Sequence, residues 1–227
     1  MRAARLTLFI SILTLLCSFA IAQPRLSALS AIVIDQDTGK VLWEHNADVK
    51  RYPASTTKIM TTLLFLENAS LQEIYTADKD VEAVTGSSLY LLEGEQIRGL
   101  DMAYAMMLRS ANDVCHLAAM EVGGSLDKFS EMMNNRAKEI GATNTRFNNP
   151  HGLNDDDHWT TARDLAMIAR EAMQNETFAK IVKTRYHEIW RSEQPQDSLL
   201  VNKNRFLKND PTAVGIKTGW TVPAGRC

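Results

Sequence analysis

From Leu100 the chain runs through Met102, Ala103, Ala105, Met106, Met107 and Leu108, breaks at Arg109-Ser110, and resumes through Val114, Leu117, Ala118 and Met120 to Gly123-Gly124. Apolar residues fall on most sides of these helical segments instead of one stripe, so the helices are expected to be buried on more than one side. A chain that carries such a stretch must wrap other elements around it. Met102, Met106, Met107, Met132 and Met133 read as core filler. The 227 residues, 45% hydrophobic and 23% charged, suffice for one domain or two closely joined subdomains with a sizeable core.

The flanking segments supply partners for that core. Leu29 to Asp35 is a β-branched apolar run ending in the turn signal Asp37-Thr38-Gly39-Lys40, and Val41 to His45 alternates apolar and polar, which predicts an antiparallel hairpin. Pro53 opens a helix that runs to Leu66. A further helix is expected from Leu126 to Ile140, capped by Ser125 and closed by Gly141, and another is capped by Thr160 or Thr161. Tyr186 to Trp190 reads as a short strand, and Ala213 to Thr221 as a strand with apolar residues at alternate positions. Strands at both ends around a helical middle predict an α+β fold: an α/β layer with a helical subdomain inserted over roughly residues 70–185.

Arg2 and Arg5, an apolar run from Leu6 to Ile21, and Ala20-Ile21-Ala22 before Gln23 have the layout of a secretory signal peptide over residues 1–22. The competing reading, a permanent anchor, is disfavoured by Thr7, Ser11, Thr14 and Ser18 within a short core. An exported, periplasmic or cell-envelope protein of residues 23–227 is therefore expected. Cys17 falls in the leader and lacks a small residue before it, which leaves Cys115 and Cys227, both expected as buried free thiols. A net charge of −2 without a basic cluster beyond the N-terminus argues against nucleic acid as a partner. His45, His116, His151, His158 and His187 are scattered and form no zinc-ligand spacing, so neither metal nor cofactor is expected. Asp155 to Asp157 reads as a solvated loop.

Ser55 and Lys58 lie one helical turn apart, which brings their Cβ atoms to about 5–6 Å, and a hydroxyl beside an amine can form an activated nucleophile. Ser125 and Lys128 have the same spacing, but there the serine is placed to cap a helix with Lys128 on its flank. Ser110-Ala111-Asn112 and Lys217-Thr218-Gly219 follow in order, each occurring once. A serine in a helix first turn, a serine in a break between helices and a strand lysine together match the set found in class A β-lactamases and penicillin-binding proteins.

The chain resembles the serine-type D-alanyl-D-alanine carboxypeptidases, a group of low-molecular-mass penicillin-binding proteins. The likeness extends to Val84-Thr85-Gly86-Ser87-Ser88, Asn149-Pro150-His151-Gly152-Leu153, Thr161 to Ala166 and Gly215 to Thr221. It implies the serine β-lactamase and penicillin-binding-protein type of transpeptidase fold, and peptidoglycan stem peptides as substrate with β-lactams as inhibitors. By resemblance, Ser55 is the nucleophile and Lys58 its base, with Lys217 as a second cation that lowers the proton affinity of Lys58. Ser110 relays a proton to the leaving amine, and Asn112 holds Lys58 or the substrate backbone. Lys217 and Thr218 receive the substrate carboxylate, Gly219 lets substrate lie along the strand edge, and the N–H groups of Ser55 and Trp220 form an oxyanion hole. His151 is expected to be structural.

Two rival activities share the motifs, lactam hydrolysis and cleavage of cross-links, and a third reading is a non-catalytic wall-binding relative. Class A β-lactamases use a loop glutamate; here Glu131 and Glu171, each followed by an asparagine four residues on, sit in helical text. Intact Ser55, Lys58, Ser110, Asn112 and Lys217 argue against the wall-binding reading. The resemblance further implies strands, a C-terminal helix, a basic carboxylate-binding residue, a β-domain and a tail for the inner-membrane surface after the Lys217-Thr218-Gly219 segment. None is present before Cys227, so a C-terminally truncated, poorly folded and inactive piece of an active protein is expected.

Overall fold

The computed structural model describes residues 26–227; the expected leader lies outside the described residues. Strands β1 (Ala31–Ile34) and β2 (Val41–His45) form the expected antiparallel hairpin, with Ala31 opposite His45 and Val33 opposite Trp43. Its turn is closed by Asp35, whose carboxylate accepts from the Thr38 backbone N–H at 2.8 Å. After a 3-10 turn at Ala54–Thr57 comes α1 (Lys58–Asn68). Proline at the entry is as expected, but the first turn is wound more tightly than an α-helix, with Thr56 donating both its N–H and its hydroxyl to Pro53 O.

Lys58 to Phe65 are all buried, so the first two turns of α1 are enclosed on every side. Around it pack α2 (Gly99–Tyr104), a π-turn (Ala105–Arg109), α3 (Asn112–Gly123), α4 (Leu126–Ile140), α5 (Ala162–Ala172) and α6 (Glu176–Lys183). Met60, Phe65, Met102, Met106, Phe129, Met133 and Phe178 fill the space between these helices with no exposed surface. The caps follow the chemistry of the termini. Ser125 Oγ accepts from Lys128 N at 3.2 Å, Thr161 Oγ1 from Asp164 N at 3.0 Å, and Gly141 closes α4 at φ 89°. Ser125 is thus a helix cap, as its position before an amphipathic run predicts.

The remaining strands are short: β3 (Ile74–Thr76) with β4 (Gln96–Arg98), β5 (Tyr186–Glu188) with β6 (Leu199–Val201), and β7 (Trp220–Thr221) with β8 (Gly225–Arg226), all antiparallel. The strand expected over Ala213–Thr221 is corrected here. Only Trp220 and Thr221 are in a strand, because among the described residues no other backbone pairs as a ladder with residues 213–218. Cys227 is a second correction: it is exposed, whereas Cys115 is a fully buried thiol.

Candidate active site

Ala54, just before Ser55, has φ 48°, in the left-handed region that non-glycine residues rarely enter. The loop that carries Pro150 to Gly152 holds this turn in place. A Cβ added at Gly152 would lie 1.8 Å from the Ala54 carbonyl oxygen, so only glycine permits the approach. Thr61 Oγ1 donates to Pro150 O at 2.5 Å. His158 Nδ1 accepts from the Asn148 N–H at 3.0 Å, which leaves Nε2 as the protonated nitrogen facing Thr57 Oγ1 at 2.8 Å. Burial lowers the His158 pKa to about 4, in keeping with that neutral ring.

Lys58 sits at the centre with no exposed surface. Its Nζ lies 2.7 Å from Asn112 Oδ1, 2.7 Å from His151 O and 3.2 Å from Ser55 Oγ. Burial, and then the charge of Lys203, lower its pKa to about 8. A neutral amine in this position donates two protons to the two shorter partners and turns its lone pair towards Ser55, the arrangement a general base needs. His151 contributes its carbonyl to the lysine. Its ring is held neutral, with a pKa lowered to about 3 by burial and by Lys58, and the turn itself is closed by Asn149 Oδ1, which accepts from Gly152 N at 2.7 Å.

Asn112 is the first residue of α3 and is anchored twice more: its Nδ2 donates to Thr85 O at 2.6 Å and its N–H to Ser87 O at 2.7 Å. Ser110 precedes it in the left-handed region (φ 65°), at the end of the π-turn, with its Oγ buried and without a hydrogen-bond partner. Asp113 accepts from the backbone N–H groups of Leu89 and Leu91 at 3.0 Å each, which fastens the segment after Ser88 to α3.

On the opposite side, Gly219 lies against the serine turn. An added Cβ there would fall 3.0 Å from Ser55 N and 3.2 Å from Pro53 O. Lys217, half-buried, donates to Thr218 O at 2.7 Å, and burial followed by the charges of Lys58 and Lys203 pushes its proton affinity well below the usual lysine range. The structure therefore joins Ser55, Lys58 and Asn112 by direct hydrogen bonds and Gly219 by contact. Ser110 enters as the neighbour of Asn112, while Thr218 and the largely exposed Trp220 flank Gly219 without side-chain bonds to the others among the described residues.

A cation that carries no expectation stands beside Lys217: Lys203, whose Nζ donates to Ser87 Oγ at 3.0 Å, also lowers the proton affinity of Lys58, while Lys58 and Lys217 repel each other. No motif marks Lys203. The contributions of His151 and Pro150 are backbone carbonyls, which carry no side-chain signal. Glu131 and Glu171 lie on α4 and α5, and Glu171 is bound to Arg136 at 2.7 Å.

The mixed α+β architecture and the Ser55–Lys58–Asn112 cluster fit one class, the penicillin-binding-protein and DD-transpeptidase fold. Its solved members include a D-alanyl-D-alanine carboxypeptidase of Francisella tularensis, with a TM-score of 0.81 at 28% identity over 91% of this chain and 62% of that one. A point mutant of a Streptomyces DD-transpeptidase gives 0.84 at 29% identity over 90% of this chain and 85% of the other. The D-alanyl-D-alanine carboxypeptidase family, peptidase S11, matches residues 18–227, and the chain belongs to it. D-alanyl-D-alanine carboxypeptidase DacF of Bacillus subtilis is 37% identical over 88% of this chain and 52% of its own length. DacC of Escherichia coli is 36% identical over 90% and 53% respectively. The chain thus spans about half the length of these curated relatives.

Proposed function

We propose that Ser55 is the nucleophile of a D-alanyl-D-alanine carboxypeptidase acting on peptidoglycan stem peptides. Ser55 Oγ adds to the carbonyl between the two terminal D-alanines as its proton passes to Lys58. The tetrahedral oxyanion is met by the N–H groups of Ser55 and Trp220. The C–N bond then breaks, D-alanine leaves with a proton relayed through Ser110, and an ester on Ser55 remains. Water hydrolyses that ester, which restores the serine hydroxyl and releases the shortened peptide. Asn112 holds Lys58, and Lys217 with Thr218 receives the terminal carboxylate beside Gly219. A β-lactam follows the same first step and forms a long-lived ester. The proposed setting is the periplasm or cell envelope.

The observation that carries this reading is the buried Lys58 amine, with its pKa lowered to about 8, at 3.2 Å from Ser55 Oγ. The test is D-alanine release from a pentapeptide ending in D-Ala-D-Ala, compared between the whole native protein and its Ser55→Ala variant. Release confined to the native protein is expected. Equal release by the variant contradicts the assignment, and penicillin labelling without any release points to a wall-binding role.

A further inference from the structure

We propose a divalent-cation site formed by Asp78, Asp80 and His116, separate from the Ser55 cluster. One carboxylate oxygen from each aspartate and one imidazole nitrogen lie within 4.8 Å of one another. Two aspartates near each other on a loop would mean little alone. The histidine supplies the independent observation. It is only 8% exposed, and its Nε2 is fully buried with no hydrogen-bond partner. Buried ring nitrogens are ordinarily paired, so an unpaired one on a ring that reaches two carboxylates is a lone pair without a partner.

The neighbours of His116 on α3 already have partners. Asn112 is bound to Lys58 and Thr85, and Asp113 to Leu89 and Leu91. Asp78 Oδ1 accepts from Asp80 N at 2.9 Å, which caps the 3-10 turn Lys79–Ala83 and leaves Oδ2 for a ligand. Among the described residues, neither aspartate has a salt-bridge partner, so the pair presents uncompensated negative charge.

Two carboxylate oxygens and one imidazole nitrogen suit a borderline ion such as Zn²⁺ over Mg²⁺ or Ca²⁺, which favour all-oxygen shells. Tetrahedral ligands at zinc bond lengths stand about 3.3 Å apart. The shell therefore closes by a rotation of the exposed Asp80, with water in the open position. Its location gives the ion a role. The turn that carries Asp80 leads directly into Val84–Ser88, whose Thr85 and Ser87 carbonyls anchor Asn112. A bound ion ties the start of that segment to α3 and so steadies the support of Asn112.

The test is calorimetric titration of metal-stripped protein with Zn²⁺ alone, alongside Asp80→Asn, His116→Gln and a control, Asp156→Asn. We expect one equivalent bound by the native protein and the control, a loss of tenfold or more in affinity in both site variants, and no displacement by millimolar Mg²⁺. Asp80 is exposed, so its variant, checked by circular dichroism, keeps the test valid if His116→Gln misfolds. Absence of stoichiometric binding to the native protein, or a loss of less than tenfold in Asp80→Asn, overturns the proposal.

Discussion

Lys58 Nζ and Asn112 Oδ1 stand 2.7 Å apart, linking the first residue of α1 to the first residue of α3. That bond lies between the buried centre of the helical cluster and the helix that follows the π-turn. It ties the buried start of α1 to the support of the candidate base, so the pH response of the site and of the fold should be coupled.

With the Lys58 pKa lowered to about 8, its free-base fraction grows as pH rises through that value. Penicillin acylation should rise across the same range, and Lys58→Met should slow it by about 10²–10⁴-fold, the usual worth of a general base. Stopped-flow labelling from pH 6 to 10 measures both. The linkage sign is the same: a lysine depressed in the folded state holds fewer protons than in the unfolded chain. Its contribution to stability therefore rises between pH 8 and its ordinary 10.5.

Gly152→Ala should be far more damaging than Gly124→Ala, although both glycines have positive φ, 84° and 71°. A Cβ at Gly124 meets nothing within 4 Å, so only the backbone cost of about 1–2 kcal/mol applies. At Gly152 the same atom collides with Ala54 O and must displace the serine turn. Urea denaturation should show about 1–2 kcal/mol lost in Gly124→Ala and a larger loss in Gly152→Ala, with penicillin labelling falling only in the latter.

Glu95 and Arg191 form an ion pair with no exposed surface on either side chain, made by Arg191 Nε to Oε1 and by Nη2 to Oε2 at 2.9 Å. Arg191→Met strands the carboxylate and should cost about 3–5 kcal/mol, whereas the double variant with Glu95→Leu should recover much of it. Thermal unfolding of the two single variants and the double variant reads the coupling directly.

Ser125→Ala separates the two Ser-x-x-Lys spacings. It should lose about 1 kcal/mol through the missing bond to Lys128 N and leave penicillin labelling unchanged. Ser55→Ala should abolish labelling and leave the helices intact by circular dichroism.

Alternation and turn chemistry made the β1–β2 hairpin legible, and periodicity with polar caps did the same for α4 and α5. These depend on neighbours within a few residues. The segment 213–218 alternates like a strand but has no ladder among the described residues, because pairing depends on a partner backbone and not on the alternation itself. Within the site, Ser55, Lys58, Ser110 and Asn112 could be read as side-chain motifs. The Ala54 strain, the His151 carbonyl and the charge of Lys203 could not, since each acts through tertiary position and the last two approach Lys58 from distant parts of the chain.

Intact-mass and peptide-mapping mass spectrometry of the whole protein treated with penicillin tests the central claim most directly. A single adduct on the peptide that contains Ser55, absent from Ser55→Ala, is the predicted result. An adduct on any other residue, or none on a folded protein, would contradict the assignment of Ser55 as the nucleophile.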